Sequence, residues 1–150
     1  MIRGVSFKIT PSRYVLREIF KCINVENYCW YNIEGQNEVW SNYFGGIALE
    51  KDYYNEKDFL KQINTEHNII FLKLQAYFEN GDFFNIHTFE AFQKSDCQLL
   101  LLMYDCISVE IFAKNQLVIK AIYKNILANE YTNVEYINEM NDGRTKMDIL

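Results

Sequence analysis

The sequence predicts an α+β fold, one compact domain over residues 1–150 with a mixed, mostly antiparallel sheet and about four helices. Two observations carry that prediction. From Cys97 to Met103 both alternating faces are apolar, with Cys97, Leu99, Leu101 and Met103 on one and Leu100 and Leu102 on the other. A strand of that kind has protein packed against both sides. From Ile107 to Ala113 the alternation is half-buried, Ile107, Val109, Ile111 and Ala113 inward against Ser108, Glu110 and Lys114. The second observation is element order. Strands and helices mix without strict alternation and several neighbours are hairpins, which favours α+β over a doubly wound sheet.

Taken in order, residues 3–9 alternate Val5, Phe7 and Ile9 against Ser6 and Lys8, a strand. Thr10-Pro11 supplies a helix start, and Val15, Leu16, Ile19, Phe20 and Ile23 form its apolar stripe. Residues 27–33 read as an aromatic-rich strand, Val39-Trp40 as a short strand, and Gly45-Gly46 as a turn or bulge. Asn55, with Asp58 three residues on, opens a helix carrying Phe59, Leu60 and Ile63. Residues 68–78 form a long apolar strand, ended by Asn80-Gly81-Asp82 as a hairpin-type turn into 83–86. Thr88 caps a short helix with Phe89 and Phe92. After the buried hairpin, Asn115 caps a helix with Leu117, Val118, Ala121, Ile122 and Ile126 on its apolar side. Residues 134–140 read as a strand, and Asn141-Asp142-Gly143 as a tight turn into a last one, 144–149.

Composition narrows the function classes. The net charge of -5 disfavours a general nucleic-acid binder, which needs a basic face to displace counterions from phosphates. No segment reaches the length of a membrane-spanning helix, and the N-terminus lacks the apolar run and cleavage site of a signal peptide. A cytoplasmic protein, with no membrane partner, is the expectation. The four cysteines are then reduced thiols, and Cys22, Cys29 and Cys97, set among apolar neighbours, are core filling.

Motifs for chemistry are sparse, and no catalytic residue is assigned. With two histidines and no C-x-x-C pair, neither a structural zinc site nor another metal centre is expected. Phosphate-binding glycine signatures are absent, and no cofactor is implied. His67 ends a helix, where its ring can bond the last carbonyls or stay solvated. Cys106 follows Asp105 at the bend between two strands. The simplest arrangement has Asp105 bonding turn amides while Cys106 packs inward. A nucleophilic Cys106 needs a base, and His87 is the one available. Arg144, beside the Gly143 turn, is the remaining candidate for such a pocket, as an anion holder.

The strongest functional candidate is aromatic. Tyr28, Trp30, Tyr31, Trp40, Tyr43, Phe44, Tyr53 and Tyr54 cluster between positions 28 and 54, interleaved with asparagines and glutamine. Tryptophan and tyrosine offer large contact area with a polar tip at small entropic cost, which suits them to interfaces. The same residues also suit a segment that seals the core over the sheet. The leading expectation is a small interaction protein, an inhibitor, immunity-type or regulatory protein. Its anchors are Trp30, Tyr31, Trp40, Tyr43, Tyr53 and Tyr54, with Glu34, Glu38 and Asp52 steering a basic protein partner. The alternative is a small enzyme or ligand-binding domain built on His87, Asp105, Cys106 and Arg144. Self-association is a further option, since a strand at 144–149, with Met147 and Ile149 on one face, would offer an edge for a homodimer.

The opening R-G-V-S-F-K-I of residues 3–9, the central S-D-C-Q-L-L-L-L-M-Y-D-C of 95–106 and the N-D-G-R-T-K of 141–146 together resemble a family of small proteins from low-GC Gram-positive bacteria, known only as a domain of unknown function. The resemblance spans essentially the whole chain, with N-D-G-R-T its most specific piece. It implies no activity, cofactor or site residue.

Overall fold

The apolar stretch that dominates the sequence lies at the centre of the sheet. The computed structural model describes residues 1–41 and 46–150. Among these the elements run β1 (Ile2–Lys8), α1 (Val15–Phe20), β2 (Cys29–Trp40), β3 (Tyr53–Tyr54), α2 (Glu56–Ile63), β4 (Asn68–Tyr77), α3 (Phe89–Lys94), β5 (Cys97–Tyr104), β6 (Ser108–Ala113), α4 (Gln116–Ala128) and β7 (Thr132–Asn138). The seven described strands form one sheet in the order β3-β2-β4-β5-β6-β1-β7, antiparallel at every pairing. The fold is α+β. Among the described residues no helix is long and apolar enough to cross a membrane.

β5 lies between β4 and β6 and is buried on both faces. Leu99, Leu101 and Met103 face a first core, with Leu16, Ile19 and Phe20 of α1, Phe59 and Ile63 of α2, and Ile119, Ile122 and Ile126 of α4. Leu100 and Leu102 face a second core with Tyr77, Ile86, Phe92, Phe112 and Met147. Cys97, which strict alternation puts with Leu99, belongs to the second core instead. β4 pairs Ala76 with Leu99 but Tyr77 with Cys97, and the extra residue, Gln98, turns Cys97 over. On α4, Leu117 is exposed and Ile119 takes its place in the core. The two stand about 200° apart around the helix, and the row Ile119, Ile122, Ile126 faces the sheet.

Three helix starts are capped as the sequence indicates. Asn55 accepts from the Asp58 N–H (2.9 Å), Thr88 from Ala91 (3.0 Å) and Asn115 from Leu117 (2.8 Å). α1 differs, beginning at Val15 rather than at Thr10-Pro11. Its cap is tertiary, since Nε2 of His67 accepts the Leu16 N–H at 3.0 Å. β2 is also one strand where two were expected. Residues 33–36 bulge opposite Lys73 alone, with Gly35 at φ 78, and pairing then resumes through Trp40. The Gly45 part of the expected turn lies outside the described residues.

Two expected strands are absent from the described structure, 83–86 and 144–149. Both are extended segments laid across the second face and held there by side chains. The Phe84 carbonyl accepts from Gln75 Nε2 (2.7 Å) and the Tyr77 hydroxyl (3.0 Å), and Gln75 Oε1 accepts the Ile86 N–H (3.0 Å). Gln36 Oε1 accepts from the Ile149 and Leu150 N–H groups (2.6 and 2.9 Å), and Met147, buried, donates its N–H to the His87 carbonyl (2.8 Å). Lys73 joins the two segments. Its fully buried ammonium donates to Asn85 Oδ1 (2.9 Å), the Ile86 carbonyl and Asp148 Oδ1 (2.7 Å). Residues 144–149 therefore present no ladder edge, and the expected two-fold pairing through them lacks its strand.

Candidate functional site

Adjacent residues of a strand point to opposite faces, so Trp30 and Tyr31 part company on β2. Trp30, 0% exposed, enters the first core, stacked on Phe59 (centroids 4.1 Å, planes 8° apart) with its indole N–H on the Val25 carbonyl (3.0 Å). β3 pairs Trp30 with Tyr54, which is buried beside it and accepts the Lys51 N–H on its hydroxyl. Neither side chain is open to a partner, which corrects the expectation that both are surface anchors. Trp40 is 38% exposed but pairs with Asn68 where Trp30 pairs with Ala76, eight residues along β4 and roughly 26 Å away at strand rise. It lines a separate cavity of about 340 Å³ with Pro11, Arg13 and Glu66. Tyr43 lies outside the described residues.

Tyr31 and Tyr53 do come together. The register pairs them, so both project from the second face, with ring centroids 5.0 Å apart. Phe83 stacks on Tyr31 (4.3 Å, 14°), and Tyr77 meets both edge-on. Tyr53 is 45%, Phe83 39% and Phe84 64% exposed. On the other face Phe78, 54% exposed, stacks on Tyr28 of the first core (5.6 Å) and stands apart from these rings. Sequence reasoning missed Phe83 and Phe84, because it placed 83–86 in a hairpin strand. Two adjacent phenylalanines directly after an Asn-Gly-Asp turn were the available signal.

Cys29 links these rings to charge. The Tyr53 hydroxyl is hydrogen-bonded to its thiol, and the thiol lies 3.5 Å from Glu56 Oε1. Burial pushes the Cys29 thiol up, and the negative charges of Glu56 and Glu79 push it further, outweighing the Tyr53 hydroxyl. The bond to Cys29, then burial, raises Tyr53 as well. Both groups stay protonated at neutral pH, so this is a contact surface rather than a nucleophilic centre.

The alternative pocket is partly assembled. Asp105, Cys106 and Arg144 line one cavity of about 650 Å³, together with Tyr104 and Asp148. His87 does not line it and reaches it only through Asp148 (Nδ1 to Oδ2, 2.8 Å). Arg144 is committed to Glu110 (2.7 Å) and lies over the Tyr104 ring, which removes it as a free anion holder. Cys106 is exposed rather than packed inward. Asp105 and Cys106 both have left-handed backbones (φ 53 and 64), and the Cys106 N–H donates to the Ile70 carbonyl on β4 (3.1 Å). That conformation turns the thiol out of the core. His67, expected to be solvated or to bond a helix end, is buried, and its Nδ1 bonds the Thr65 carbonyl (2.7 Å). Among the described residues no three His, Cys, Asp or Glu side chains form a group able to hold a metal.

The comparisons with known proteins agree with the motifs at both ends of the chain. The family model described as "Protein of unknown function (DUF2691)" matches residues 2–148. The "Uncharacterized protein YncE" of Bacillus subtilis (strain 168) is 34% identical over 155 residues, covering 99% of this chain and 100% of that protein. No solved structure matches significantly. Matched over nearly its whole length by both, the chain belongs to the DUF2691 family of proteins of unknown function.

Proposed function

We propose that this chain is a cytoplasmic protein-interaction module that docks another protein on the aromatic surface of Tyr31, Tyr53, Phe83 and Phe84. One observation carries the reading. Three rings, Tyr53, Phe83 and Phe84, stand more than a third exposed on the second face, although a folded chain gains by burying them. Grouped exposed aromatics of this kind mark contact sites. Four unbridged cysteines support the reducing compartment. The test is capture of partners from lysate of a Bacillus host, with wild type beside a Tyr53→Ser/Phe84→Ser variant whose fold is checked by circular dichroism. A stoichiometric partner held by wild type and lost by the variant is the expected result. A partner retained equally by both removes this surface. A second reading, a small-ligand site or small enzyme, is favoured by the convergence of Asp105, Cys106 and Arg144 on one cavity. A ligand that raises the melting temperature, with the rise abolished by Cys106→Ser, would select it.

A further inference from the structure

We propose that the partner presents a cationic segment, arginine ahead of lysine, whose guanidinium groups lie on the exposed faces of Tyr53, Phe83 and Phe84 and pair with Glu56 and Glu79. This rests on the interaction reading and adds the chemistry of the partner to it.

Three observations support the assignment. First, negative charge is concentrated where the exposed rings are. Segments 50–58 and 78–84, which carry Tyr53, Phe78, Phe83 and Phe84, hold six carboxylates and two lysines, four of the chain's net charge of -5. Second, two of those carboxylates bear on the thiol beside Tyr53. Glu56 Oε1 is 3.5 Å from the Cys29 thiol that bonds Tyr53, and Glu79, next to Phe78 in the chain, acts on the same thiol. Third, the charge of these carboxylates is not balanced by an ion pair among the described residues, although Glu56 accepts the Cys29 thiol. Several acids elsewhere are matched within the chain, Asp142 to Arg3, Asp148 to Lys73, Glu90 to Lys94 and Glu110 to Arg144. Among the described residues neither Glu56 nor Glu79 is in an ion pair.

A neutral apolar partner covering this corner would strip water from carboxylates with nothing to pair them, which is costly. An anionic partner, nucleic acid or an acidic membrane, would be repelled. A cation resolves both problems, since aromatic faces attract it and the carboxylates neutralise it. The planar guanidinium of arginine stacks on a ring while its edge bonds a carboxylate, a combination that the compact lysine ammonium cannot match.

The full-length protein is titrated with penta-arginine, penta-lysine, penta-asparagine and penta-glutamate peptides, and the ring resonances of Tyr53, Phe83 and Phe84 are followed by NMR. Penta-arginine is expected to shift these rings in preference to the others, more strongly than penta-lysine, with penta-asparagine and penta-glutamate inert. Added salt should weaken the effect. In Glu56→Gln/Glu79→Gln, affinity for penta-arginine should fall about tenfold, with only the small drop in melting temperature that neutralising Glu56 in the first turn of α2 brings. Equal affinity in the two proteins, or equal shifts with penta-asparagine, overturns the cation assignment. So does a failure of penta-arginine to move the rings. The interaction surface itself is judged separately, by the Tyr53→Ser/Phe84→Ser capture.

Discussion

At the start of α1 the imidazole of His67 occupies the place of a capping serine or aspartate. Its Nε2 accepts the Leu16 N–H and its Nδ1–H donates to the Thr65 carbonyl, which uses both nitrogens of the neutral ring. Burial lowers the pKa of the ring below the ordinary 6.5; the Thr65 carbonyl opposes this and Arg17 adds to it. The sign follows directly. Below about pH 6.5 the unfolded chain binds a proton that the folded chain resists, so stability is complete above that value and declines as the pH falls through it. A proton on Nε2 would also point a donor at the Leu16 N–H. Urea midpoints should therefore fall between about pH 7.5 and about pH 5.5. In His67→Leu the midpoint at the higher pH should correspond to a loss of about 1 to 2 kcal/mol for the missing cap, with a flatter pH profile. Identical slopes in the two proteins would show that His67 does not set this dependence. Nothing local in the sequence announces the cap, because its donor and acceptor are 51 residues apart.

At the scale of elements, the caps Asn55, Thr88 and Asn115 were legible because each acts on an amide two or three residues away. The strands β1, β5 and β6 were legible because alternation reports burial. Alternation does not report what satisfies the backbone. Residues 83–86 and 144–149 have the apolar pattern of strands, yet their amides and carbonyls are met by Gln75, Tyr77, Lys73 and Gln36 side chains. The same distinction divided the aromatic site. Alternation along β2 separates Trp30 from Tyr31, but only the path of 83–86 brings Phe83 onto Tyr31. Lys73 is the polar centre of this layer. Burial works against the charge on Asp148, but hydrogen bonds from Lys73 and His87 outweigh it and hold the carboxyl below its usual range. Lys73→Met leaves Asn85 and the Ile86 carbonyl without their donor and Asp148 with His87 alone, and should cost about 3 kcal/mol. Asp148→Asn strands the ammonium and should cost less, since Asn85 and the Ile86 carbonyl remain. The double variant should lose clearly less than the sum of the two, as measured by urea unfolding. Strict additivity would mean that the pair is not coupled.

The whole molecule is a sheet between unequal layers. One face is covered by α1, α2 and α4, around a continuous apolar core. The other is covered by α3 and two extended segments that depend on a few long-range side-chain bonds. Unpaired in any ladder, those segments can open without breaking a strand pairing, so their local free energy of opening should lie well below that of the sheet. Hydrogen exchange should resolve the two layers. The Met147 amide, held by the His87 carbonyl, and the Ile86 amide, held by Gln75, should exchange at least about a hundredfold faster than buried amides of β4 and β5 such as Leu74 and Leu101. Lys73→Met should widen that gap, because it releases both segments while leaving the ladders intact. Uniform protection across the layers would mean that the second face unfolds only with the sheet. Phe83 and Phe84 ride on one of these segments. A partner docked on their rings should therefore slow exchange at Ile86 more than global stabilisation alone would, leaving Leu101 almost unchanged. Equal slowing at the two positions would place the bound partner away from this corner.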